Sequence, residues 1–541
     1  MNQVMKKIGA MVLALSLTIG SLSACGSKGE NEKPATTASL RYEVDVNTPA
    51  WKLDAETPAT LSWYINAEWW NSEWGNDFIT KQIEKDMNIK IEFLKGDNTK
   101  LNTMFAGDDM PDMLTVFQGA DSRSVIMSAN QWAYSLNELA DTYDPYFYQV
   151  ASKDTLNWLK LSDGKTYGYS KYSNTSIGNE TGKIRASTAF TIRKDVNAAL
   201  GQPAMGSPEE FLSTLGQIKE KYPELTPFGF NDMKSGVGSL GGDFQNFIGV
   251  PIEDEDGNFY NRNLDEDYLN WIRTFNQAYL NGYISDDSFS DDSTAYEDKI
   301  KSGQYATIMM GGTPQRSTAL QVFLTANPDG QYIAIDGPQS TVGRAPTLSQ
   351  SGISGWMLNY ITKQCKDPAK AIQLFTYLLS DEGQILQKFG REGETYTVNS
   401  DGLFERTEEI KKLKEENIEQ FKKEYRFDEF MMFGHDRYIQ LGADNNPAIE
   451  QMQKWGEGKL KPQFLIEDID PDQGTPEARS LTAIDTKWNT TLVSLIRAKG
   501  DNEFNSILED YKNFLKDNGW DAIVKIRSEN MQKNREKLGI E

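Results

Sequence analysis

The sequence predicts an α/β protein in which a mostly parallel sheet is covered by helices, and three observations carry that expectation. Short β-branched and aromatic runs alternate with segments of helical spacing, the order that βαβ units produce. The chain has 541 residues, enough for roughly three or four units of about 150 residues or for two large lobes. No fixed-period repeat is visible, which disfavours solenoids and propellers.

From Thr57 the pattern is globular. Residues 59–65 read as a buried strand, 77–87 as a helix through Phe78, Ile79, Ile83 and Met87, 90–94 as a second strand, 101–105 as a short helix and 111–117 as a third strand. A second such region opens with a strand at 188–192, then a helix from Lys194 and another at 208–222. Ser207-Pro208-Glu209-Glu210 supplies the latter with an N-cap, an N1 proline and first-turn acids. Asp254-Glu255-Asp256-Gly257 reads as a hairpin turn between strands at 250–252 and 258–260; as an EF-hand loop it lacks the glutamate at the twelfth position. Helices are expected at 264–280 and 296–301, a buried strand at 305–310, an amphipathic helix at 368–379 and a long charged helix at 406–425. Terminal helices are expected at 484–498, 503–518 and 522–532.

Composition excludes more than it assigns. Hydrophobic residues make up 38% and aromatics 11%, enough for a sizeable core. Lys and Arg total 56 against 79 Asp and Glu, a net charge of −23, so nucleic acid is disfavoured as a partner, and the acidity is read as serving solubility. His435 is the single histidine, and any zinc site or Ser-His-Asp triad would have to use it; it is read as structural. The two cysteines, Cys25 and Cys365, lack zinc-ligand spacing, and neither a metal nor a cofactor is expected.

Residues 1–24 read as an export signal, with Lys6 and Lys7 ahead of an apolar run at 8–19 that is too short to span a bilayer. Leu22-Ser23-Ala24-Cys25 resembles a bacterial lipobox, which makes the Cys25 sulfur the acceptor for diacylglycerol and membrane lipid a partner. The polar stretch that follows is read as a flexible tether, assigned to 25–56. Cys365 is then left as an unpaired thiol.

Further segments carry a resemblance in their order along the chain. They are Leu61-Ser62-Trp63-Tyr64-Ile65-Asn66-Ala67-Glu68-Trp69-Trp70, Phe105-Ala106-Gly107-Asp108-Asp109-Met110-Pro111-Asp112-Met113, and Ile192-Arg193-Lys194-Asp195-Val196 with Pro208-Glu209-Glu210-Phe211. Lys301-Ser302-Gly303-Gln304-Tyr305-Ala306 and Asp367-Pro368-Ala369-Lys370-Ala371-Ile372 through Ser380-Asp381-Glu382-Gly383 complete the set. With the lipobox they resemble extracellular solute-binding proteins of family 1, the large sugar-type lipoproteins of bacterial ABC importers. The resemblance implies a two-lobe, periplasmic-binding-protein-like α/β fold with hinge segments and an interlobe cleft. It divides the chain into lobe 1 at 57–182 plus 303–350 and lobe 2 at 183–302 plus 351–541. It further implies a monomeric binding protein, not an enzyme, on the extracellular face of the cell membrane, with an oligosaccharide ligand and ABC permease subunits as partners.

A sugar offers an apolar C–H face and a rim of hydroxyls, so its site needs flat aromatics beside planar hydrogen-bonding groups. Asn66, Glu68, Trp69 and Trp70 concentrate both kinds at the carboxyl end of the first strand, where open α/β sheets bind ligands. Phe117, Gln118 and Asp121 follow the third strand. The resemblance adds Asp243 and Phe244 from the second lobe; Arg316 follows the strand at 305–310, and Trp356 lies near the chain's crossing back. The guest is expected to be neutral and hydroxyl-rich. A lipid-anchored glycoside hydrolase would need two carboxyls about 5–9 Å apart, and nothing in the sequence pairs Glu68, Asp121 or Asp243 in that way. A peptide-binding lipoprotein is the other alternative, and an adhesive surface protein is disfavoured by the absence of repeated all-β modules.

Overall fold

The computed structural model describes residues 40–540 apart from 119–121, 172, 175–185, 232, 235, 350–351, 428–431, 434–437, 439–440 and 444–445. The export signal, Cys25, Asp121 and His435 lie outside the described residues. From Tyr42 onward the chain forms one compact unit.

Its strands are β1 (Ala59–Ile65), β2 (Ile89–Lys95), β3 (Met113–Phe117), β4 (Gly168–Lys171), β5 (Thr188–Arg193), β6 (Thr226–Phe230), β7 (Tyr305–Gly311), β8 (Tyr332–Ala334) and β9 (Met357–Ile361). Among the described residues they make a five-stranded sheet ordered β2-β1-β3-β9-β4 and a four-stranded sheet ordered β6-β7-β5-β8. Each sheet is the centre of one lobe of a two-lobe α/β architecture.

The expected mostly parallel arrangement is corrected to two mixed sheets. β1 runs parallel to β2 and β3, whereas β9 is antiparallel to β3 and β4. β6 is parallel to β7, and β5 is antiparallel to β7 and β8. The cause is how β5 and β9 are entered. Each receives the chain from the other lobe, so it starts at the edge where its neighbouring strands end.

The lobe assignment of two segments is corrected by the same pairings. The segment 303–350, assigned to the first lobe, supplies β7 and β8 to the second sheet, with Thr188 opposite Gly311 and Phe230 opposite Met309. Residues after 351, assigned to the second lobe, supply β9 to the first. A buried polar chain fixes β9 there: Trp63 Nε1 donates to Thr115 Oγ1 at 2.8 Å, Thr115 Oγ1 to Asn359 Oδ1 at 2.7 Å, and Asn359 Nδ2 to the Tyr169 carbonyl at 3.2 Å. Asn359 would be an unsatisfied polar group elsewhere in a core. Thr307 Oγ1 likewise ties β7 to the Pro227 carbonyl at 2.7 Å.

Helices form where caps and apolar spacing agree. Phe78–Met87 begins at Asp77, whose side chain accepts the Thr80 N–H, and Pro208–Lys221 begins with a full Ser207/Glu210 capping box. Pro368–Leu379, capped by Asp367, is buried along most of its length under the first sheet, with Phe375 stacked on Trp63 at 6.3 Å. Pro476–Ile496 and Asp501–Asp517 pack onto the second lobe, where Trp488 lies 4.9 Å from Tyr511.

Two further expectations change. The tether assigned to 25–56 ends earlier: helix Ala50–Leu53 buries Trp51 edge-on to Tyr377 at 4.9 Å, and buried Asp54 and Lys370 lie 3.7 Å apart. The charged helix at 406–425 is two helices, Glu408–Glu416 and Ile418–Tyr425, because Asn417 leaves helical geometry (φ −152°, ψ 79°) and caps the second. The turn at 254–257 forms as expected, with Asp254 Oδ1 accepting the N–H groups of Asp256 and Asn258, but one bridge, Glu253 to Phe259, closes it. Among the described residues no helix is long and apolar enough to cross a membrane.

Candidate ligand-binding site

β1, β3 and β4 end at one edge of the first sheet, and β9 starts there. The chain leaving β1 turns sharply, with the Ala67 N–H on the Ile65 carbonyl and the Trp70 N–H on the Ala67 carbonyl. This turn sends adjacent tryptophans in opposite directions. Trp70 is 1% exposed and packs edge-on to Phe93 at 5.8 Å; burying about 200 Å² at about 25 cal/mol/Å² stabilises by roughly 5 kcal/mol. Trp69 forgoes most of that. It is 62% exposed and lies nearly parallel to Trp356, itself 40% exposed, at 6.2 Å and 8°. Phe117 tilts against Trp356 at 5.6 Å, so Trp69, Trp356 and Phe117 form one aromatic surface at the sheet edge.

The expected polar partners divide. Asn66 is buried and committed to the fold: its Oδ1 accepts the Tyr64 hydroxyl at 3.0 Å and its Nδ2 donates to Asn98 Oδ1 at 2.7 Å. Glu68 is exposed; burial, Asp97 and Glu68 together push the Tyr64 phenol up to about 12. The Gln118 N–H donates to the Trp356 carbonyl at 2.9 Å, and its side chain donates to the Ser354 carbonyl, which fixes Trp356 against β3.

Sequence reasoning missed Lys171, the last residue of β4. It is 4% exposed, and its ammonium lies 4.9 Å from the Trp70 ring and 4.8 Å from the Trp356 ring. Among the described residues it makes no hydrogen bond or ion pair, and burial pushes its pKa down to about 8. Two desolvated cation–π contacts of about 2 kcal/mol each fall short of, or at best match, the several kcal/mol needed to take a lone ammonium out of water. The signal in the sequence was a lysine ending the aromatic run Tyr167-Gly168-Tyr169-Ser170-Lys171.

Arg426, also missed, and Gly355, beside the expected Trp356, position this surface. Arg426, 1% exposed, donates to the Asn71 and Glu73 carbonyls at 2.8 Å each and lies 3.6 Å from Asp77, gripping the loop behind Trp69 and Trp70. Gly355 has φ +74°, and a Cβ there would stand 2.6 Å from the Lys171 carbonyl oxygen.

On the second lobe the matching edge is formed by the ends of β6 and β7 and the start of β5. Asp243 Oδ1 accepts the Thr188 hydroxyl at 3.0 Å, and its other oxygen lies 2.1 Å from where a Gly311 Cβ would stand; burial raises its pKa. Asn231 exchanges hydrogen bonds with Gly311 at 2.9 and 3.2 Å. Phe244 does not join this edge. It is fully buried against Phe275 at 5.0 Å and Trp271 at 6.0 Å, so its expected ligand role is corrected to core packing. Arg316 is likewise taken up within its lobe by Glu297 at 2.5 Å and Ser293 at 2.8 Å.

A cavity of about 770 Å³ lies wholly within the second lobe, between 202–210 and 335–341. It has no aromatic lining and so lacks a stacking surface. Among the described residues no group of three His, Cys, Asp or Glu side chains could hold a metal ion.

In sequence, no family model and no curated protein matches the chain. In fold it is similar to an extracellular solute-binding protein from Bifidobacterium longum subsp. infantis, at 14% identity over 89% of this chain and 99% of that one, with a TM-score of 0.63. It is similar to an HMO-binding, ABC-transporter-associated solute-binding protein from Bifidobacterium longum infantis, at 15% identity over 88% and 99% of the two chains and a TM-score of 0.61. The S. pneumoniae ABC-transporter substrate-binding protein FusA, in complex with kestose, matches at 14% identity over 88% and 99%, with a TM-score of 0.60. At these identities the likeness establishes the fold.

Proposed function

We propose that this chain is the substrate-binding protein of an ABC importer, anchored by a lipid on Cys25 to the extracellular face of the cell membrane. It captures an oligosaccharide between its lobes and passes it, chemically unchanged, to the permease. The observation that carries this reading is the Trp69–Trp356 pair, two nearly parallel, partly exposed rings at the edge of a sheet from which the chain crosses to the other lobe. With Phe117 they make a surface of three rings, which favours consecutive sugar rings over a single one. Trp69, Trp356 and Phe117 stack on C–H faces, Glu68 supplies an acceptor for hydroxyls beside them, and Asp243 does so from the second lobe. The names of the structural neighbours, which include binders of HMO and kestose, support a carbohydrate guest over a peptide. A hydrolase is not supported, because the two described carboxylates stand on different lobes, Glu68 exposed and Asp243 held by Thr188.

The test is a thermal-shift screen of the mature chain against plant and host oligosaccharides, with product analysis. A ligand at 100 times its Kd stabilises the folded state by about 2.7 kcal/mol, so a hit is readily seen. The expected result is a shift with one sugar class, no new reducing ends, and an affinity about tenfold weaker in Trp69→Ala and Trp356→Ala. A panel without any shift, or release of cleaved sugar, overturns the reading.

A further inference from the structure

The aromatic surface sits on a cation that, among the described residues, has no counter-charge within ion-pair distance. When this chain buries a lysine for structure alone, it satisfies it: Lys370 Nζ donates to the carbonyls of Asp54 at 2.6 Å and Met87 at 3.0 Å, with the Asp54 carboxylate 3.7 Å away. Buried Arg426 is treated the same way by two carbonyls and Asp77. Lys171 is buried to the same degree, yet among the described residues it meets only the faces of Trp70 and Trp356. Trp70 and Trp356 are the two rings that flank or form the sugar surface. Glu68, the acid beside Trp69, is exposed, and among the described residues it makes no ion pair with Lys171.

We infer that the guest of this site is an acidic sugar, and that Lys171 receives its carboxylate while the ring bearing it stacks on Trp356 and Trp69. The inference rests on the carbohydrate-binding reading and narrows it from a neutral to an anionic saccharide. A hydroxyl answers one N–H of the ammonium but not its charge; a carboxylate answers both. The net charge of −23 does not oppose this at contact distance, because repulsion from distant surface acids is screened over about 8–10 Å of electrolyte.

Calorimetry on the mature chain tests the inference with matched pairs: oligomers of galacturonate and mannuronate and sialyllactose, each against its methyl ester. The two kinds of acid separate a carboxylate fixed on a uronate ring from the one on sialic acid. The expected result is that at least one acidic sugar binds tenfold or more tightly than its ester, that Lys171→Met brings the acid and its ester to equal affinity, and that Lys171→Arg keeps the difference. Equal binding of acid and ester by the wild type overturns the inference and leaves the carbohydrate reading standing. An acid preference that survives in folded Lys171→Met overturns it as well. If no sugar of either kind binds, the inference is overturned, and the thermal-shift screen with neutral oligosaccharides decides the carbohydrate reading separately. Should Lys171→Met not fold, the acid-against-ester comparison in the wild type and in Lys171→Arg decides.

Discussion

Trp69 and Trp70 are neighbours of identical chemistry with opposite fates, and the difference lies in one turn of backbone. Trp70 is a core residue under Lys171, and Trp69 is held in water against Trp356. Asp144 shows the same sorting among acids. It ends helix Leu136–Tyr143, accepts the Ala50 N–H at 3.1 Å and so pins the start of the folded chain, but burial dominates and pushes its pKa from 3.8 up to about 6. The folded state therefore keeps a proton that the unfolded chain has already released between those values. Stability from this group is greatest at the acidic side of that window and is lost as pH rises through about 6. Between pH 5 and pH 7 the loss is about 1 kcal/mol. Urea denaturation at both pH values is expected to show it in the wild type, and Asp144→Asn, which keeps an acceptor oxygen, is expected to remove it. Parallel pH profiles for the two proteins would rule out this role.

At the scale of elements, the segment leading into β9 is set by a glycine. Gly355 and Gly402 share a left-handed backbone, φ +74° and +76°, but a Cβ on Gly402 meets nothing within 4 Å, whereas one on Gly355 strikes the Lys171 carbonyl. Gly402→Ala should cost only the backbone strain, about 1 kcal/mol. Gly355→Ala should cost roughly 2–4 kcal/mol, because it also forces apart the strand ends that carry Lys171 and Trp356. It should weaken sugar binding where Gly402→Ala leaves it intact. Equal melting temperatures for the two variants would show that the close approach does not matter. Such contacts explain what was legible beforehand. Strands and helices with strong local signals, such as Ala59–Ile65 and the capped Pro208–Lys221, were readable, and so was the aromatic loop after β1. Lys171 and Arg426 were not, since an isolated basic residue in sequence looks like solvated surface until its burial is known. Phe244 failed for the converse reason: an aromatic beside an acid resembles a sugar contact, but its ring belongs to a core assembled from Trp271 and Phe275, about 30 residues away in sequence.

For the whole molecule, two lobes were readable but their membership was not. β7 and β9 are both short apolar runs, and which sheet receives each depends on long-range pairings and on single polar residues such as Asn359 and Thr307. The crossings thus defined lie side by side: the Asn174 N–H donates to the Gly352 carbonyl at 3.1 Å, the Ser170 hydroxyl to the Ser354 carbonyl at 2.7 Å, and Trp158 Nε1 to Ser354 Oγ at 2.9 Å. Half-buried Glu467 braces the segment entering β9, accepting the N–H groups of Ile353 and Ser354 at 3.0 Å each, and the last helix, Trp520–Leu538, places Lys537 over Trp158 at 5.1 Å. Under the proposed function, ligand contacts on Trp69 and Trp356 from one side and Asp243 from the other would favour a closed arrangement by the difference in affinity between the two states. Glu467→Ala leaves two buried amides without acceptors, a cost of about 1–3 kcal/mol for each. In small-angle scattering, the wild type is expected to contract when sugar saturates the site. Glu467→Ala is expected to be broader without ligand and to need more sugar for the same contraction, since its binding-competent state is less populated. A radius of gyration that stays constant through saturation would mean that the lobes do not close on their guest.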